Sequence, residues 1–277
     1  GRLQVQAQNR GGSEQHPREW RLSQFNLSVP EADFSASGNW AQLAASTPGA
    51  AAAPERRTAL TLRLELRDAG ALLARLGMPG VLRQGQGHLE GQLAWRGAPI
   101  SPDYPSMSGQ LHLDIGKGQF LKADPGLAKL LGVLSLQSLP RRLTLDFRDV
   151  FSAGFAFDFV RGDLRVDRGL AQTNNLQMKG VNAAVLMEGE ADIVRETQNL
   201  HVVVVPEINA MTASLVATAI NPIIGLGSFL AQAVLRGPLI AAATQEFRIE
   251  GSWAEPQVVR LQRRHEPELG AGPGETP

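Results

Sequence analysis

Period-two alternation of apolar and polar residues runs through most of this chain and restricts its fold more than any other feature. Leu60, Leu62, Leu64 and Leu66 are separated by Thr61, Arg63 and Glu65, with Arg67 closing the run. The same period recurs at Phe25/Leu27/Val29, Leu111/Leu113/Ile115, Leu143/Leu145/Phe147, Phe155/Phe157/Phe159 and Leu164/Val166. Successive side chains of a strand point to opposite faces, so each segment presents one apolar face and one wet face. Gly with Asp punctuates the runs, at Arg161-Gly162-Asp163 and Asp167-Arg168-Gly169, as hairpin turns require. The pattern predicts an antiparallel meander, mainly β with minor α.

So much one-sided apolar sheet has two outlets. Two sheets can bury each other as a closed sandwich. Alternatively, one long twisted sheet curls into a U-shaped trough whose apolar face lines a cavity for something greasy. The 29 glycines suit many turns and a curved sheet better than a helical bundle. A loose repeat points the same way. Phe34-x-Ala36-x-Gly38-x-Trp40, Leu89-x-Gly91-x-Leu93-x-Trp95 and Phe247-x-Ile249-x-Gly251-x-Trp253 each set apolar groups, a Gly and a terminal Trp on one face, as in a sheet that grows by similar units.

Two short helices are predicted among the strands. Asp68 can N-cap one carrying Leu72, Leu73 and Leu76, with Gly77 as its stop and Pro79 beyond. Asp124-Pro125 opens the second, with Leu127, Leu130, Leu131 and Leu134 at helical spacing and Pro140 ending it. Residues 44–57 read as a surface loop and 263–277 as a disordered tail. We expect one β-groove domain over 1–262, with repeat-like units at about 1–100 and 101–262.

One stretch departs from alternation. From Ile208 to Leu235 there is no charged side chain, which is long enough for a membrane span. Asn221-Pro222, followed by Gly225 and Gly227, breaks it into helices of about 210–220 and 222–236, each too short to cross. It reads as a helical cap over 209–240. Leu215, Ile220, Ile223, Ile224, Phe229 and Leu230 are its candidate membrane-contact residues.

Chemistry-bearing motifs are scarce. Lys+Arg and Asp+Glu both total 27, and no basic block stands out, which argues against nucleic acid as a partner. There are no cysteines, so disulfides and thiolate chemistry are excluded. His88/Glu90 and His112/Asp114 place possible ligands on one strand face, but opposite the Leu-bearing side, where a solvated surface explains them. Gly85-x-Gly87-x-x-x-Gly91 leads into a strand and not a helix, so it builds no phosphate cradle. No nucleophile elbow, zinc-protease helix or Walker lysine occurs. A non-enzymatic protein without cofactor or metal is expected.

Three segments, RDAGALLARLG (67–77), GHLEGQLAWRGAP (87–99) and ADPGLAKLLGVLSLQSLPRRLTLDFRDVFSAGFAFDFVRGDLRV (123–166), closely resemble the YhdP family of AsmA-like proteins, and more narrowly its C-terminal region. The likeness continues through TNNLQMKG (173–180) to EFRIEGSWAEPQ (246–257). What the resemblance implies is a C-terminal piece of a long periplasmic protein of Gram-negative bacteria, anchored in the inner membrane by a segment outside this sequence. It implies a repeating β-groove like that of bridge-like lipid-transfer proteins, moving phospholipid to the outer membrane and maintaining the permeability barrier. This piece would lie near the outer membrane, its cap meeting the inner leaflet, with phospholipid acyl chains as ligand and an envelope protein as a further partner.

The expected lining is Leu62, Leu64, Leu66, Leu111, Leu113, Leu143, Leu145, Phe147, Phe155, Phe157, Phe159, Leu164 and Val166. Exposing an acyl chain of about sixteen carbons to water costs on the order of 13 kcal/mol, so an apolar trough replaces a prohibitive step. The competing expectation is a structural module that positions or docks the long protein and carries no lipid.

Overall fold

The alternating runs become the strands of one sheet. The structure is a computed structural model, which describes residues 1–11, 18–43, 55–121, 155–180, 183–206 and 244–261. Its elements follow in order: β1 (Arg2–Arg10), β2 (Glu19–Val29), β3 (Ala32–Gln42), β4 (Arg56–Leu66), α1 (Ala69–Arg75), β5 (Leu82–Gln84), β6 (Gly87–Arg96), β7 (Ser108–Phe120), β8 (Phe155–Asp167), β9 (Leu170–Gly180), β10 (Ala183–Asp192), β11 (Thr197–Pro206), β12 (Gln245–Ser252) and β13 (Pro256–Leu261). These thirteen strands form a single antiparallel β-groove sheet, each strand beside its neighbour in sequence. Short β5 is the exception. It pairs with the end of β7, continuing the line of β6. Among the described residues no second sheet packs on the first, so the sandwich expectation gives way to the groove.

Local signals act as the sequence predicts at α1. Asp68 accepts a hydrogen bond from the Ala71 amide at 2.9 Å, and Gly77 follows the helix at φ +91. At the β8–β9 hairpin, Arg168 and Gly169 both take positive φ (48 and 78), the geometry that matches strand twist across a tight turn.

Two readings need correction. Arg161-Gly162-Asp163 is no turn, because β8 runs unbroken through it. Gly162 stands in mid-strand since a Cβ there would lie 2.7 Å from the Leu176 Cα on β9, a close approach only Gly allows. Nor do the three phenylalanines of β8 share a face. Phe155 and Phe157 are buried with Leu66 and Leu82, whereas Phe159 lies beneath the Arg161 guanidinium, 4.2 Å from its ring centroid. A register irregularity against β9 between Phe157 and Phe159 changes the phase of alternation there.

The second predicted helix, the uncharged segment with Leu215, Ile220, Ile223, Ile224, Phe229 and Leu230, the lining candidates Leu143, Leu145 and Phe147, most of the 44–57 loop and the tail lie outside the described residues.

Candidate functional site

Because every pairing is antiparallel, residues opposite one another share a face, and the apolar face can be followed strand by strand. Leu3 of β1 faces Leu27, which faces Phe34, then Leu64, Leu89, Leu113 and Gly162 of β8. Leu176 packs at that Gly, and the file continues through Met187 and Val202 to Phe247 of β12. It crosses the strands of the sheet almost from edge to edge. At about 4.8 Å per strand, ten steps make about 48 Å measured along the sheet.

Burial varies along the strands. Near their ends by α1, Ala32, Leu66, Ala69, Leu82, Phe155 and Phe157 are buried together, with Leu72, Leu73, Ile115 and Phe120 packed against them. Near the opposite ends, Trp95, Met107 and Val166 are buried with Leu60, Leu93 and Ile193. Between these clusters lies a lane of half-buried residues, Leu62, Leu64, Leu89, Leu111, Leu113 and Leu164. Side chains of this kind, flanked by closed packing yet open above, offer non-directional contact to an elongated apolar ligand.

Glycines bring the strands close beneath this lane. A Cβ on Gly91, whose φ is +156, would stand 2.0 Å from the Gln110 carbonyl oxygen of β7. No other residue type fits without moving a ladder.

Over β4 to β9 the opposite face is polar. A depression of about 1240 Å³ is lined by Arg63, Glu90, Gln110, His112, Asp163 and Arg165, among others. Its principal charges engage one another. Arg63 pairs with Glu65 and Glu90, and His112 Nδ1 lies 2.8 Å from the Asp163 carboxylate. The Asn175 amide donates to Asp163 at 2.7 Å, and this bond with that of His112 holds its carboxyl below the usual range. Exposed pairs of this sort add little stability and describe a solvated surface. Among the described residues no group of three His, Cys, Asp or Glu side chains could hold a metal ion. Nor is any helix among them long and apolar enough to cross a membrane.

The expected lining therefore divides. The structure brings Leu62, Leu64, Leu111, Leu113 and Leu164 together in the lane, and places Leu66, Phe155, Phe157 and Val166 in the buried clusters at its margins. Phe159 joins neither. Sequence reasoning missed Leu89, Leu176, Met187 and Leu200, whose alternation is interrupted by Gly91, Gly189 and an irregular pairing of β9 with β10. Extending the register outward from Leu64 finds them.

A family model described as YhdP protein matches residues 1–258. This chain belongs to the YhdP family. It is 33% identical over 233 residues to a protein of Escherichia coli (strain K12) named "Intermembrane phospholipid transporter YhdP". The match covers 83% of this chain but 18% of that relative, so the chain spans less than a fifth of the family member's length. No solved structure matches.

Proposed function

We propose that this chain carries phospholipid acyl chains along the apolar face of its sheet, as a section of a conduit between the two membranes of a Gram-negative envelope. The observation that carries this reading is the transverse file from Leu3 to Phe247, with its half-buried lane between two closed clusters. A file perpendicular to the strands runs along the trough, so an acyl chain exchanges one apolar contact for the next and meets no deep well. Family membership and the relative's name support phospholipid as the cargo. We place the chain in the periplasm, toward the outer-membrane end of its longer protein, because its segments resemble the family's C-terminal region.

The test replaces Leu64 and Leu113 together by Asp and measures phospholipid co-purifying with the chain by mass spectrometry of extracts. Bound lipid should fall to background while the circular dichroism of the sheet persists. An unchanged lipid load in the folded double variant would count against a conduit and favour a structural module.

A further inference from the structure

Every tryptophan of the described sheet stands at the same end of the sheet. Trp20 opens β2, Trp40 and Trp95 lie near the ends of β3 and β6, and Trp253 follows β12; the chain has four in all. Trp20, Trp40, Thr58 and Trp95 form one transverse row on the apolar face, Trp20 facing Trp40 and Thr58 facing both Trp40 and Trp95. Beyond that row the same face turns basic. Gln42 faces Arg56, and its amide donates to the Arg18 carbonyl at 3.1 Å, which puts Arg18, Gln42 and Arg56 in register. Down the wall the order is thus cationic, then indole, then aliphatic, the order of a membrane interface read from headgroup to hydrocarbon.

Both rims carry paired arginines, and at this one Arg10 pairs with Glu19 and Arg96 with Glu55. Arg67 and Arg75, at the rim beside α1, are engaged by Asp33 and Glu31. Arg18 and Arg56 have no carboxylate partner among the described residues, and the Arg56 guanidinium instead lies over the Trp40 ring at 4.2 Å. The indole N–H of Trp40 is buried with no acceptor among the described residues. From Thr58 to Leu64 the wall spans about 20 Å at 3.4 Å per residue, longer than the roughly 15 Å of hydrocarbon in one leaflet.

We propose that this rim is a phosphate-recognising lip. The phosphodiester headgroup of a glycerophospholipid sits against Arg18 and Arg56, while its acyl chains descend past the indoles into the lane. The proposal rests on the conduit reading and adds to it a polarity, headgroups along one rim only. Arginine suits the task because its planar fork matches phosphate oxygens while its stem packs on an aromatic ring.

The experiment compares two ligands with identical acyl chains, phosphatidylglycerol and diacylglycerol, loaded from detergent onto the full chain and counted by native mass spectrometry. Wild type should favour phosphatidylglycerol by about tenfold, as two charge-assisted contacts allow. In the double variant Arg18→Gln, Arg56→Gln the ratio should fall to about one, whereas Arg67→Gln at the opposite rim should leave it intact. Equal uptake of both ligands by wild type, or a ratio unmoved in the double variant, overturns the lip while leaving the conduit standing. Failure to load either ligand overturns both readings. Glycerol 3-phosphate, added as competitor, should not displace the lipid; displacement at stoichiometric amounts would mark a site for a soluble phosphate and overturn the assignment to lipid.

Discussion

Leu89 of β6 faces Leu64 of β4 across one ladder and Leu113 of β7 across the other, and all three are half-buried. Phe157, on the same groove, is 4% exposed within a closed cluster. The two environments separate a partly open side chain from a closely packed one. Phe157→Ala should lose about 3–5 kcal/mol of stability, as a large buried aromatic does, and Leu113→Ala only about 1 kcal/mol, because part of its surface already meets solvent. Chemical denaturation of both variants checks this. Equal losses would mean the lane is sealed.

Gly91 makes a second, sharper contrast with Gly77. Alanine at 91 would drive its Cβ to 2.0 Å from the Gln110 carbonyl, while at 77, with φ +91, it would meet nothing within 4 Å. Gly91→Ala should therefore cost at least about 3 kcal/mol, since a β6–β7 ladder has to move. Gly77→Ala should cost about 1–2 kcal/mol, the price of a left-handed backbone alone. Midpoint shifts in urea distinguish the two.

How much of this was legible in the sequence follows from the physics of each element. Leu60 to Leu66 alternates without interruption, so its strand and its face could both be read. Local capping chemistry likewise announced α1, through Asp68 and Gly77. Gly162 deceived because Gly beside Asp signals a turn, whereas here it answers a neighbour, Leu176, distant in sequence. Phe159 deceived because the shift in phase is set by pairing with β9, which no local window contains. Ala184, Leu186, Val203 and Val205 read as a continuous apolar run with their neighbours, and they are buried on the otherwise polar face. The tryptophan rim was legible in part, since the repeat puts Trp40, Trp95 and Trp253 at the ends of their runs. Its tryptophans are far apart in the chain and meet only through register.

Acid should weaken the fold in a defined window. The Arg75 hydrogen bond lowers the Glu31 carboxyl from its ordinary 4.5, and the Ser28 hydroxyl, then Arg67, lower Asp33 from 3.8. Asn175 and then His112 do the same for Asp163. A carboxyl whose folded value is depressed contributes stability that is present above the unfolded value and lost as pH falls through the folded one. Melting temperature should thus hold steady down to pH 4.5 and decline from there through and below 3.8. Glu31→Gln should flatten part of that decline, and a thermal scan series over the range tests it.

The last prediction concerns the edge of the sheet. β1 is exposed along its whole length and pairs only with β2 among the described residues. On its apolar side Leu3 is 58% and Val5 51% exposed, with Leu27 of β2 at 38% beside them. An edge of this length offers unpaired N–H and C=O groups together with an apolar strip, the combination that recruits a further strand. In isolation the chain should associate through β1, extending the file of apolar side chains from one molecule into the next. Sedimentation should show a concentration-dependent dimer. Val5→Lys should abolish it, since a charge opposite its own copy both repels and desolvates poorly. A chain that stays monomeric at high micromolar concentration, or a dimer indifferent to the lysine, would place the association elsewhere or remove it.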